Sequence, residues 1–154
     1  TVQEEVVRPK PVIKEAFNVK PNSQWSKALE GVIKKYPVVD LASDKIVAYK
    51  ELPIIGRKVE GYHSEKISFI RYNETLVDFR IHRNDTVMLL EEKDLKNDKL
   101  YLLEIRKRKM IRRVRKESNN RLIVSVDKNQ ETRETYSTSD VRLIGRCLKV
   151  EFDL

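Results

Sequence analysis

DKLYLLEIRKRKMIRRVRKESNNRLIVSVD, residues 98–127, decides the fold. Three runs inside it, KLYLLEIRK, KMIRRVRKE and RLIVSVD, are short, rich in branched and long apolar side chains, and broken by the turn signal ESNNR. That pattern reads as consecutive β-strands. Working outward, KIVAYKELPII (45–55), KISFIRY (66–72), TLVDFRIH (75–82), DTVMLLEE (85–92) and VRLIGRCLKVEF (141–152) repeat it. KDLKNDK (93–99) and the polar stretch KNQETRETYSTSD (128–140) read as loops. The expectation is a mainly β fold, a bent antiparallel sheet or partly open barrel.

The N-terminal third has a different character. Residues 1–22 carry Pro9, Pro11 and Pro21 with little periodicity and read as an extended arm or linker. In NSQWSKALEGVIKKYP (22–37), Ser23 can cap a helix whose apolar face would hold Trp25, Ala28, Leu29, Val32, Ile33 and Tyr36, with Pro37 as its stop. A helix this short needs a surface to dock on, so Trp25, Leu29, Val32, Ile33 and Tyr36 are a candidate partner-docking or self-docking stripe. The expected organisation is an arm (1–22), an amphipathic helix with its connector (23–50) and a β domain (51–154).

The chain of 154 residues is long enough to enclose a core. No apolar run reaches the roughly 20 residues of a membrane-spanning helix, and TVQEEVVRPK lacks the layout of a signal peptide. Together with a single cysteine, Cys147, this predicts a cytoplasmic protein without disulfides, Cys147 serving as a small buried hydrophobe. Two histidines, His63 and His82, and one cysteine do not make a metal site, and the four glycines never cluster as phosphate loops require, so no metal and no cofactor are expected. The acids Glu91, Glu92, Asp94 and Asp98 surround a predicted turn, where solvation accounts for them.

The net charge of +8 is concentrated. Between Glu104 and Glu117 stand Arg106, Lys107, Arg108, Lys109, Arg112, Arg113, Arg115 and Lys116, with no acid among them. They form either a solvated basic hairpin or a surface that touches nucleic-acid phosphate or another acidic partner. The stretch contains no aromatic residue, which argues against base stacking on single strands.

LPIIGRKVEG (52–61), RNDTVML (83–89), MIRRV (110–114) and LIGRCL (143–148), in this order, resemble the C-terminal domain of the LexA, lambda-repressor and UmuD family of Ser-Lys self-cleaving peptidases. The resemblance covers about residues 51–154. RNDTVML is similar to the family's Asp-Gly-Asp turn and strand, with Asn84 in the place of glycine, and Asn tolerates a left-handed backbone. LPIIGRKVEG is similar to the cleavage segment that ends in Ala-Gly. The resemblance implies a dimerising β domain in which a serine attacks that segment while a neutral lysine takes its proton.

Carried over position by position, the resemblance implies that the chemistry is lost. Leu76 falls on the nucleophile, Arg112 on the lysine, and the pair Glu60–Gly61 on the scissile Ala-Gly. Leucine has no hydroxyl, and a guanidinium stays protonated at any usable pH. Neighbouring candidates do not rescue the dyad. Thr75 and Lys109 are expected to face away, and Ser64 and Ser68 to be surface serines. The expected function is thus a non-cleaving regulatory and oligomerisation domain of a LexA-like or phage-repressor-like transcriptional regulator, a pseudo-peptidase. It would act as a homodimer and be switched by a regulatory or antirepressor protein. The alternative is a basic β scaffold that binds DNA or other nucleic acid, with a residual peptidase as the remaining reading.

Overall fold

The computed structural model describes residues 5–7 (backbone), 32–129 and 131–152. Twelve strands account for most of them: β1 (Glu5–Val7), β2 (Ile33–Asp40), β3 (Ile46–Pro53), β4 (Lys58–Val59), β5 (Tyr62–His63), β6 (Ile67–Arg71), β7 (Thr86–Leu90), β8 (Lys99–Ile105), β9 (Arg108–Glu117), β10 (Arg121–Ser125), β11 (Glu134–Ser137) and β12 (Val141–Glu151). Ten form one open sheet in the order β1-β2-β6-β7-β12-β8-β9-β10-β11, with β3 on the other edge of β2, and β4 and β5 make a small separate ribbon. The mainly β expectation holds. The barrel does not, because the sheet stays open, and the sheet is mixed because β2 runs parallel to β6.

The amphipathic helix is overturned where the structure describes it. Ile33 and Tyr36 lie in β2, paired with Pro53 and Lys50 of β3, and Val32 is an exposed residue just before the strand. Trp25 and Leu29 fall outside the described residues. The helical spacing of Ile33 and Tyr36 is misleading because Lys34 is buried beside Tyr36. Its ammonium donates to the Ser64 carbonyl at 3.1 Å, and the Tyr36 hydroxyl donates to the same oxygen at 2.6 Å. A lysine whose head is hydrogen-bonded can take an inward strand position. Pro37 is tolerated because on that edge of β2 it falls between Lys35, the last residue paired with β1, and Val38, the first paired with β6. β2 therefore belongs to the sheet, where a helix was expected, and it pairs with β3, which falls inside the strand expected at 45–55. Ser64, expected at the surface, is buried beneath them.

One strand assignment and one loop assignment also change. TLVDFRIH forms no strand: Leu76 and Ile81 bridge each other around a 3-10 turn at Val77–Phe79, which ends on left-handed Arg80. Both apolar ends point inward, so the period-2 appearance comes from the neck of a loop. The polar stretch 128–140 contains β11, an edge strand held to β10 by backbone pairing from Arg121↔Ser137 to Val124↔Glu134.

Strand register sorts the core onto two faces. One carries Tyr36, Val38, Phe69, Met88 and Leu90, then Tyr101, Leu103, Val114, Leu122 and Val124 across the sheet. The Tyr36 and Phe69 rings meet edge-on with centroids 5.5 Å apart. The other face carries Ile70, Val87, Leu89, Leu102 and Ile111, against which Tyr72, Leu76 and Ile81 pack. Cys147 packs against this second group, and burial pushes its thiol up to about 12, as suits a small hydrophobe.

Candidate functional site

The residues that stand in for the dyad gather where β6 leaves the sheet beside β9. Tyr72 follows β6, and its backbone is clamped to the turn at 82–85: its N–H donates to the Asp85 carbonyl and its carbonyl accepts from Asn84. Asn84 adopts the left-handed backbone expected of it, with φ of 76°. The buried Asp85 carboxylate accepts from the His82 N–H at 2.8 Å and holds the turn shut.

From this anchored position the Tyr72 side chain reaches a gap in the hydrogen-bond ladder. The pairing of β10 with β9 ends at Ser125↔Arg113, so β9 has no strand partner on that side at Ile111. The fully buried Ile111 N–H donates instead to the Tyr72 hydroxyl at 2.8 Å, and that hydroxyl donates onward to Glu74 at 2.6 Å. Glu74 closes the set on Arg112, whose guanidinium meets its carboxylate at 2.8 Å and also donates to the Ile111 carbonyl. Burial, reinforced by the bond to Glu74, pushes the Tyr72 phenol well above its ordinary value. Partial burial raises Glu74, but the bonds from Arg112 and Tyr72 outweigh it and hold the carboxyl below the usual range.

Leu76 and Arg112 are thus neighbours of one network, yet neither offers peptidase chemistry. Leu76 is buried in the apolar cluster with Tyr72 and Ile111. The hydroxyl next to Leu76 in the chain, Thr75 Oγ1, is occupied in accepting the Arg83 N–H at 3.1 Å. Arg112 is a permanent cation fixed by a carboxylate. On its other side Arg112 lines a shallow pocket of about 210 Å³ with Arg108, Met110, Ser125, Thr132 and Tyr136.

The segment that resembles a cleavage loop is a pair of tight turns. Gly56 and Arg57 have φ of 58° and 65°, and Glu60 and Gly61 have 50° and 86°. Each turn is closed by a two-residue hairpin pairing, Ile55↔Lys58 and Val59↔Tyr62, the geometry that demands positive φ at both central positions. Nothing approaches either glycine closely, so handedness alone selects glycine there. Val59, fully buried against Tyr36, Phe69 and Met88, pins the segment to the sheet, and Glu60 is bound by Lys149 of β12 at 3.0 Å. Glu60–Gly61 is therefore tied to β12, while Leu76 packs beside Ile111 and Arg112 is held by Glu74 beyond the β6 exit.

The eight basic residues divide into two groups. Arg112 is held by Glu74, while Arg113 and Arg115 share Asp98 at 3.6 and 2.6 Å. Arg106, Lys107, Arg108, Lys109 and Lys116 are exposed. Of the acids read as merely solvated, Glu92 binds Arg146 at 2.7 Å and Lys96 at 3.5 Å, and Asp98 binds the β9 arginines. Sequence reading missed Tyr72, which no motif marks, and gave no role to Glu74, whose partner lies 38 residues away.

Among the described residues there is no cluster of three or more His, Cys, Asp or Glu side chains placed to hold a metal, and no helix long and apolar enough to cross a membrane. The chain matches no family model, and no curated protein matches it significantly.

Proposed function

We propose that this chain is a non-cleaving regulatory and oligomerisation domain with a LexA-type scaffold, part of a repressor-like transcriptional regulator. A partner protein, not self-cleavage, would switch it. The observation that carries the reading is the Tyr72–Glu74–Arg112 network in the place of a dyad. At the two positions where the resemblance puts serine and lysine, the chain has a core leucine and an arginine neutralised by an adjacent carboxylate. Such an arrangement fixes β9 to the β6 exit while offering no hydroxyl nucleophile at position 76 and no neutral amine at position 112 to take its proton.

Placement of Glu60 agrees with this reading. A cleavage segment must leave its resting position and present its scissile bond to the dyad, but here the segment is tied down by Val59 in the core and by the Glu60–Lys149 ion pair. The test is incubation at about pH 10, where a lysine lowered by desolvation would be neutral, followed by denaturing electrophoresis. The chain is expected to stay whole, and fragments split between Glu60 and Gly61 would overturn the proposal.

A further inference from the structure

We propose that the β8–β9 hairpin tip is a docking element for the phosphate backbone of duplex DNA, formed by Arg106, Lys107, Arg108 and Lys109. This inference is independent of the preceding one. The tip is a two-residue turn closed by Ile105↔Arg108, and its central residues Arg106 and Lys107 have φ of 52° and 66°. Such turns favour Asn-Gly because long L side chains resist the left-handed region.

The described chain has three other turns with two successive positive φ values: Gly56–Arg57, Glu60–Gly61 and Asn119–Asn120. Each uses glycine or asparagine. Only the β8–β9 tip places two long cations in both strained positions. No ion pair within the described residues explains the choice, since all four tip cations are exposed and none is in a salt bridge there. Backbone strain with no internal return points to a use outside the molecule.

The surroundings compensate the positive charge only in part. Glu104, cross-strand from Lys109, is taken by Arg142 at 2.7 Å. Glu134, bonded by the neutral Tyr136 hydroxyl, and Asp140, next to Val141 opposite Ile105, are the acids left near the four cations. Farther along β9 the arginines are spent on Glu74 and Asp98, so four consecutive unpaired cations stand together at the tip, with Lys116 the other exposed, unpaired cation near the far end of the strand. β12 stays paired with β8 as far as Val141↔Ile105, so the tip is a rim of the sheet that meets phosphates from outside the grooves, and it has no aromatic ring on which single-stranded bases could stack.

The test uses the full chain and a fluorescein-labelled mixed-sequence DNA duplex of about 20 base pairs, with anisotropy titrations between about 50 and 200 mM salt. Four phosphate contacts predict a log–log salt slope of about 3 to 4 in magnitude, and hence a loss on the order of 100-fold in affinity across that range. The double variant Arg106→Asn/Lys107→Gly installs the residues this turn prefers, so it should unfold at the same or a higher temperature. It should bind at least about tenfold more weakly at low salt, with the slope reduced by about 2. Absence of binding by the natural chain at low salt overturns the proposal, as does an unchanged slope in the folded variant. Displacement of the DNA by polyglutamate of matched charge as readily as by unlabelled duplex also overturns it.

Discussion

Replacing Tyr72 by Phe removes one oxygen from a side chain with no exposed surface and leaves the ring in its packing. The lost hydroxyl accepts the Ile111 N–H at 2.8 Å and donates to Glu74 at 2.6 Å. No strand can replace the first bond, because β10 ends before reaching Ile111. A buried donor left unpaired costs about 1–3 kcal/mol, and the weakened Glu74 site adds to it, for a total of about 2–3 kcal/mol. For a chain of this size that lowers the midpoint of thermal unfolding by roughly 5–10 °C. Urea unfolding should show the loss with an unchanged slope, and the Ile111 amide should exchange faster with solvent.

A second readout separates the network from simple packing. The Tyr72 phenol is raised in the folded state, whereas in the unfolded chain it releases its proton near pH 10. Its contribution is therefore complete below about pH 10 and is lost as pH rises above it. Tyr72→Phe should remove this part of the alkaline loss of stability. A cost below about 0.5 kcal/mol with unchanged Ile111 protection would refute the reasoning.

At acid pH the carboxylates act with the opposite sign. Glu74, Glu92 and Glu151 are held below the usual range by Arg112, Arg146 and Lys50. Unfolded carboxylates take up protons first, near pH ~4.3, so stability should be full above that value and fall as pH drops through it. Urea midpoints at a series of pH values check this, and Glu74→Gln should flatten part of the fall. Val59→Ala should cost about 2 kcal/mol, from lost transfer and a residual cavity at a fully buried site. It should also make the 54–63 segment the first site clipped in limited proteolysis.

The parts of the fold that were legible in the sequence are those whose partners are near in the chain. The β8–β9 and β9–β10 hairpins declare themselves through short apolar runs and tight turns, and their registers follow from adjacent residues. β2 was not legible, because its burial rests on a lysine satisfied by a carbonyl 30 residues away and on a parallel partner, β6, that local pattern cannot announce. β11 was hidden for the converse reason: a polar edge strand held by backbone hydrogen bonds leaves no apolar signature. At the candidate site, the identities of Leu76 and Arg112 were readable, and what surrounds them was not. The Tyr72–Glu74–Arg112 network depends on where β10 stops, which is a property of the sheet and of no single segment.

Native mass spectrometry after incubation at about pH 10 tests the central claim most directly, because it reads chain integrity and assembly together. The account predicts one species, a dimer of uncut chains. A monomer alone, or fragments ending at Glu60 and beginning at Gly61, would contradict it.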